Sequence, residues 1–346
     1  MTSSPPPPLP VPTTPSPLLN KTFTTHRLSP LYTPSSTTPL LTSATLTAHA
    51  RALHDILRGT VLRGVRVGLD ASSSTASTDN RDLERAGALV RVSWTLFASS
   101  RGEAGGGDDD DGEGGGDGDG DGQGVTGIHI SIIYESAEYT AFLLRSSPTN
   151  DDENDKNDPN FTALPLFLTR MPRSLTSTLT SYLATHFDTR VGALALPSAF
   201  LLTRLEAALR PPLSALAAPL RDVLVQFRFA AAAAAAPACR TVDVTIPRED
   251  VARFAARGKA LGRGGDRDRA EVGTAPFTLA LAEYLATHLA LDMRHKEVGV
   301  GKVACGEWVL GGEGRVKLLN GGGVASVLRA LVERAGEGLE GVGLGE

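Results

Sequence analysis

The residues able to do chemistry in this sequence are few, and their spacing does not suit them to it. Asp117-Gly-Asp-Gly-Asp-Gly122 opens like a calcium loop, in which alternate carboxylates converge on one ion. That loop needs a bidentate carboxylate at its twelfth position, where Ile128 stands inside a strand-patterned segment. A solvated low-complexity stretch is the better reading. Gly299-Val-Gly-Lys302 has the end of a phosphate loop but lacks the rest. Lys296 replaces the leading glycine and Val303 the hydroxyl that should follow the lysine. Leu261-Gly-Arg-Gly-Gly265 follows a helical pattern instead of a strand, which removes the dinucleotide reading. Both are read as turns.

The seven histidines, His26, His49, His54, His129, His186, His288 and His295, are scattered, and none stands at metal-ligand spacing with another. His186 and His288 fall at helix C-termini, where an imidazole interacts favourably with the terminal carbonyls. Cys239 and Cys305 are too few for a disulfide framework or a four-cysteine zinc site, and read as small buried thiols. No nucleophile elbow or His-Glu-x-x-His helix occurs. The residues therefore give no catalytic site, no metal site and no cofactor.

Two features point to binding. Arg51, Arg58, Arg63 and Arg66 gather around the first helix–strand junction, as a solvated basic face or as a patch for DNA phosphates. The hairpin from Trp308 to Leu319 is apolar through Trp308, Val309, Leu310, Val316 and Leu318 and lies close to the chain end. If it forms a sheet edge, its unpaired backbone can accept a strand from another chain; pairing within its own sheet is the alternative.

These features need elements to position them. Leu46, Ala50, Leu53 and Leu57 fall at helical spacing, with Ser43 as cap and Gly59 as stop. Val61–Leu69 reads as a strand. Alternation then marks strands at Val90–Leu96, Ile128–Tyr134 and Thr140–Arg145, an antiparallel meander. Further strands are expected over 164–169, 191–196, 223–229, 242–246 and 298–304, and helices over 174–187, 198–209, 247–257, 276–291 and 324–335. Runs of adjacent strands favour an α+β fold of curved, mostly antiparallel sheets with packed helices. Tyr182-Leu-Ala-Thr-His186 and Tyr284-Leu-Ala-Thr-His288 echo one another at helix ends, as a duplicated unit or by chance.

The organisation follows from composition. Residues 1–20 are a proline-rich tail and 337–346 a flexible one, around an N-terminal part, 21–145, and a C-terminal part, 161–336. The Gly/Asp-rich loop 101–124 and the polar loop 146–160 carry most of the acid. The formal charge is −5; with −8 from Asp108–Asp121 and −4 from Asp151–Asp158 removed, the rest carries +7. Mildly basic bodies suit nucleic acid or acidic partners. Aromatic residues are only 5%, too few for a single-strand stacking platform. No long apolar run predicts a membrane span, and the start lacks a secretory signal, so a reducing compartment is expected.

Three phrases are family-like. Phe23-Thr-Thr-His-Arg-Leu-Ser-Pro-Leu-Tyr32, Ile56-Leu-Arg-Gly-Thr-Val-Leu-Arg-Gly-Val-Arg-Val-Gly68 and Lys302-Val-Ala-Cys-Gly-Glu-Trp-Val-Leu-Gly-Gly-Glu-Gly-Arg-Val-Lys-Leu-Leu319 resemble the fungal branch of centromere protein L (CENP-L). The resemblance implies a non-enzymatic inner-kinetochore scaffold in the nucleus, at the centromere. It also implies a heterodimer with centromere protein N (CENP-N) through sheet-edge contacts near the C-terminus. Other inner-kinetochore subunits and the centromeric nucleosome or its DNA are then reached through that complex. A homodimer in isolation and a direct duplex-DNA module are the variants to separate from it.

Overall fold

The strand that organises the molecule comes first in the chain. β1 (Thr22–Leu28) buries Phe23 and Thr25 on one face and Leu28 on the other, so both faces must be covered. It meets three strands, all antiparallel. The computed structural model describes residues 16–34, 39–59, 61–62, 65–66, 83, 85–99, 124–147, 160–209, 222–229, 240–262, 275–319 and 323–337. The Pro-rich tail before 16, the acidic insert and the alanine run lie outside them.

After the two-residue β2 (Leu31–Tyr32) comes α1 (Ser43–Gly59), whose Leu46, Ala50, Leu53 and Leu57 make the expected buried stripe. The hydroxyl of Thr42, not of Ser43, accepts the Thr45 N–H at 3.4 Å and opens the helix. The strand expected over 61–69 is instead the short pair β3 (Val61–Leu62) and β4 (Val65–Arg66). The meander β5 (Leu89–Ala98), β6 (Val125–Tyr134) and β7 (Glu138–Ser146) forms as the alternation predicts. Gly127 is needed there, because a Cβ on it would stand 1.9 Å from the Leu143 carbonyl oxygen. β8 (Phe161–Thr162) pairs with β2, and β9 (Leu166–Arg170), α2 (Arg173–Phe187) and β10 (Val191–Ala193) complete this half.

The second half opens with α3 (Ser198–Ala208), then β11 (Val223–Phe229), β12 (Thr241–Ile246), α4 (Arg248–Gly262) and α5 (Pro276–Leu289). It closes with β13 (Val298–Ala304), β14 (Trp308–Gly311), β15 (Arg315–Leu318) and α6 (Val324–Gly336). The echoed segments end α2 and α5, and each leads into the next strand.

One antiparallel sheet runs β12-β11-β13-β14-β15-β1-β9-β7-β6-β5, with β10 also on β1. Side chains alternate between two cores. Phe142 and Leu144 enter one with α3–α6, while Ala141 and Leu143 enter the other with α1 and α2. The result is the α+β fold expected, with a sheet that stays open. Its consequence for function is asymmetric cover. In the first half, β6, β7 and β9 are buried on both faces. In the second, the described helices cover only the face bearing Val225, Val303, Leu310 and Val316.

Candidate functional site

The terminal hairpin is not an edge. β14 lies between β13 and β15, and β15 lies between β14 and β1. Phe23 faces Val316 across that last pair, and Asn20 donates its N–H to the Leu318 carbonyl at 2.7 Å. Trp308, Leu310, Val316 and Leu318 are therefore core residues, each at most 1% exposed, and only Val309 turns to the other face. The expected docking edge is corrected by a pairing between strands almost three hundred residues apart.

The unpaired edges are elsewhere. Among the described strands, β5 pairs only with β6, and β12 only with β11. Residue parity shows which groups of β12 are open. Phe229 donates its N–H to the Arg240 carbonyl, so even-numbered residues bond to β11. The N–H and C=O groups of Asp243 and Thr245 consequently aim away from the sheet. This edge has no proline or lysine to blunt it.

Arg51 and Arg58 are exposed on α1, seven residues apart and so on the same side of the helix. Arg63 lies outside the described residues, and of Arg66 only the backbone, in β4, is described. The structure thus brings two of the four arginines together. It also assembles a set of cations that no local run announces. On the uncovered face of β11 and β13–β15, Arg228, Lys302, Arg315 and Lys317 line a groove of about 530 Å³ with Val309 and Glu313. The alternation of Arg315 and Lys317 with buried Val316 and Leu318 is readable in sequence. Their meeting with Arg228 depends on strand order.

His26, His49 and His129 are packed into the structure. His49 sits between α1, α2 and β5, its ring 5.7 Å from that of Trp94 and 4.8 Å from that of Phe187. Its Nδ1 lies 2.8 Å from the Tyr182 hydroxyl, which donates to the His49 carbonyl oxygen at 3.3 Å. Burial, and then the neighbouring His186, holds His49 below the usual histidine pKa; burial pushes Tyr182 up to about 12. Burial lowers His26 and His129 as well. Burial raises the Cys305 thiol to about 11, far from a reactive thiolate. Cys239 lies outside the described residues. Among the described residues no three His, Cys, Asp or Glu converge on a metal-sized site, and no helix is long and apolar enough to cross a membrane.

Among the described residues, strand edges without a neighbouring strand and a charged sheet face without helical cover give surfaces suited to contact with other macromolecules. The comparison with known families agrees with this. Residues 17–336 match the family described as Centromere protein L, and the chain belongs to it. It is accordingly a kinetochore subunit of the nucleus and centromere, from a structural family concerned with chromosome segregation. No curated relative matches the sequence.

Proposed function

We propose that this protein is a non-enzymatic inner-kinetochore scaffold that pairs with a CENP-N-like subunit, and that the pair helps build the kinetochore on centromeric chromatin. The observation that supports the pairing is the edge of β12, with its outward backbone groups at Asp243 and Thr245. A partner strand added there extends the sheet through main-chain hydrogen bonds and needs no pocket. Other inner-kinetochore subunits and the centromeric nucleosome or its DNA are engaged through the pair. In isolation the same edge can join two copies of this chain.

Thr245→Pro tests this. It removes an outward N–H while sparing the bonds to β11, a place where an edge strand tolerates proline. Co-purification with the CENP-N-like subunit should be lost while circular dichroism stays unchanged. Undiminished pairing by a folded variant rejects the edge. Light scattering of the isolated chain checks the homodimer.

A second reading, direct duplex-DNA contact, is favoured by the shared exposure of Arg51 and Arg58, with Arg63 and Arg66 expected to extend the patch. Its test is the salt dependence of duplex affinity, with a log–log slope of about −0.9 per phosphate contacted. Reversing the four charges should flatten the slope. An unchanged slope leaves the arginines as a solvated face.

A further inference from the structure

The uncovered face of the second half is chemically two-sided. One row across the strands runs Leu224, Ala304, Val309 and Lys317; the next runs Gln226, Lys302, Gly311 and Arg315. Leu224, Ala304 and Val309 are half-buried, a continuous apolar track. Lys302 and Arg315 are exposed beside it, and Lys317 closes the apolar row. None of these three cations pairs with another described residue, whereas Arg228 is tied to Glu313 at 3.4 Å. Gly301 lets Arg228 lie flat over the sheet, since a Cβ there would stand 2.5 Å from its Cγ.

We propose that this groove binds an extended acidic peptide of a partner protein whose alternate side chains are apolar. Charge complementarity supplies the acid, through three cations without an ion-pair partner among the described residues, lining a groove of about 530 Å³. The apolar track decides between acidic macromolecules. A nucleic-acid backbone makes no use of Val309 in the groove or of Leu224 and Ala304 in the same row beside it. An amphipathic strand lying between the two rows places acids over Lys302 and Arg315 on one side and apolar groups over Val309 on the other, at the two-residue period of an extended chain, with Lys317 at the end of the apolar row. This surface is distinct from the β12 edge, so it stands or falls separately from the pairing reading.

The experiment is fluorescence anisotropy on the full chain with three labelled probes: a twelve-residue peptide alternating glutamate and leucine, a polyglutamate of equal length, and a twenty-base-pair duplex. The alternating peptide should bind best. Its affinity should fall at least tenfold in Lys302→Glu/Arg315→Glu and again in Val309→Asp, whose side chain points away from the core. Amide-exchange protection by the peptide in β13–β15 of the unaltered chain gives a second readout that depends on no variant. Equal binding of polyglutamate, indifference to Val309→Asp, or a duplex that binds this face while the peptide does not would each overturn the proposal.

Discussion

Trp308→Ala separates a hairpin that holds the fold from one that docks a partner. The indole is 1% exposed and lies in the core shared by Leu310, Val316, Leu318 and the helices α3–α6. Removing a fully buried tryptophan costs about 3–5 kcal/mol, from lost transfer energy plus the cavity left behind. With a guanidinium slope near the upper end for globular proteins, ~6 kcal/mol/M, the unfolding midpoint should drop by roughly 0.5–0.8 M. Lys317→Ala, one strand away on the opposite face, should move it by less than about 0.1 M, as surface changes do. Tryptophan fluorescence is compromised by the substitution itself, so circular dichroism is the better signal. A Trp308→Ala protein that keeps its midpoint but loses its partner would refute the core assignment and restore the hairpin as an interface.

Three further outcomes follow from the packing. Gly258→Ala should destabilise by about 1–3 kcal/mol in thermal or chemical unfolding, although alanine is the better helix former, because its Cβ would stand 1.6 Å from the Pro276 carbonyl oxygen. Tyr182→Phe removes the hydroxyl shared with His49 and should cost about 0.5–1.5 kcal/mol, read by the same melts. His26, His49 and His129 all have folded pKa values below 6.5, so the unfolded chain takes up protons first as pH falls. Their contribution to stability is present above pH 6.5 and is lost below it, toward the folded values; His49→Asn should shallow the dependence of unfolding free energy on pH in that window.

The elements were largely legible in the sequence because each carries its own period. Leu46, Ala50, Leu53 and Leu57 specify α1 by spacing alone, and the alternation through Ile128, Ile130, Ile132 and Tyr134 specifies β6. The errors lie where the deciding contact is remote. Nothing near Trp308–Leu318 announces that Phe23 will pair against Val316, so an apolar hairpin near the chain end reads as an edge until β1 covers it. Strand order, which carries no local signal, also decides that Arg228 joins Lys302 and Arg315 on one face. The His49–Tyr182 contact joins helices far apart in the chain and likewise had no local trace. The family likeness was legible for another reason: whole phrases of the sequence, spread along the ordered chain, carried it.

Hydrogen exchange on the segment Arg240–Pro247, with and without a CENP-N-like subunit, tests the docking account most directly. Slowed exchange at Asp243 and Thr245 in the mixture is the predicted result. Identical exchange in both samples, while the two proteins co-elute, would contradict it.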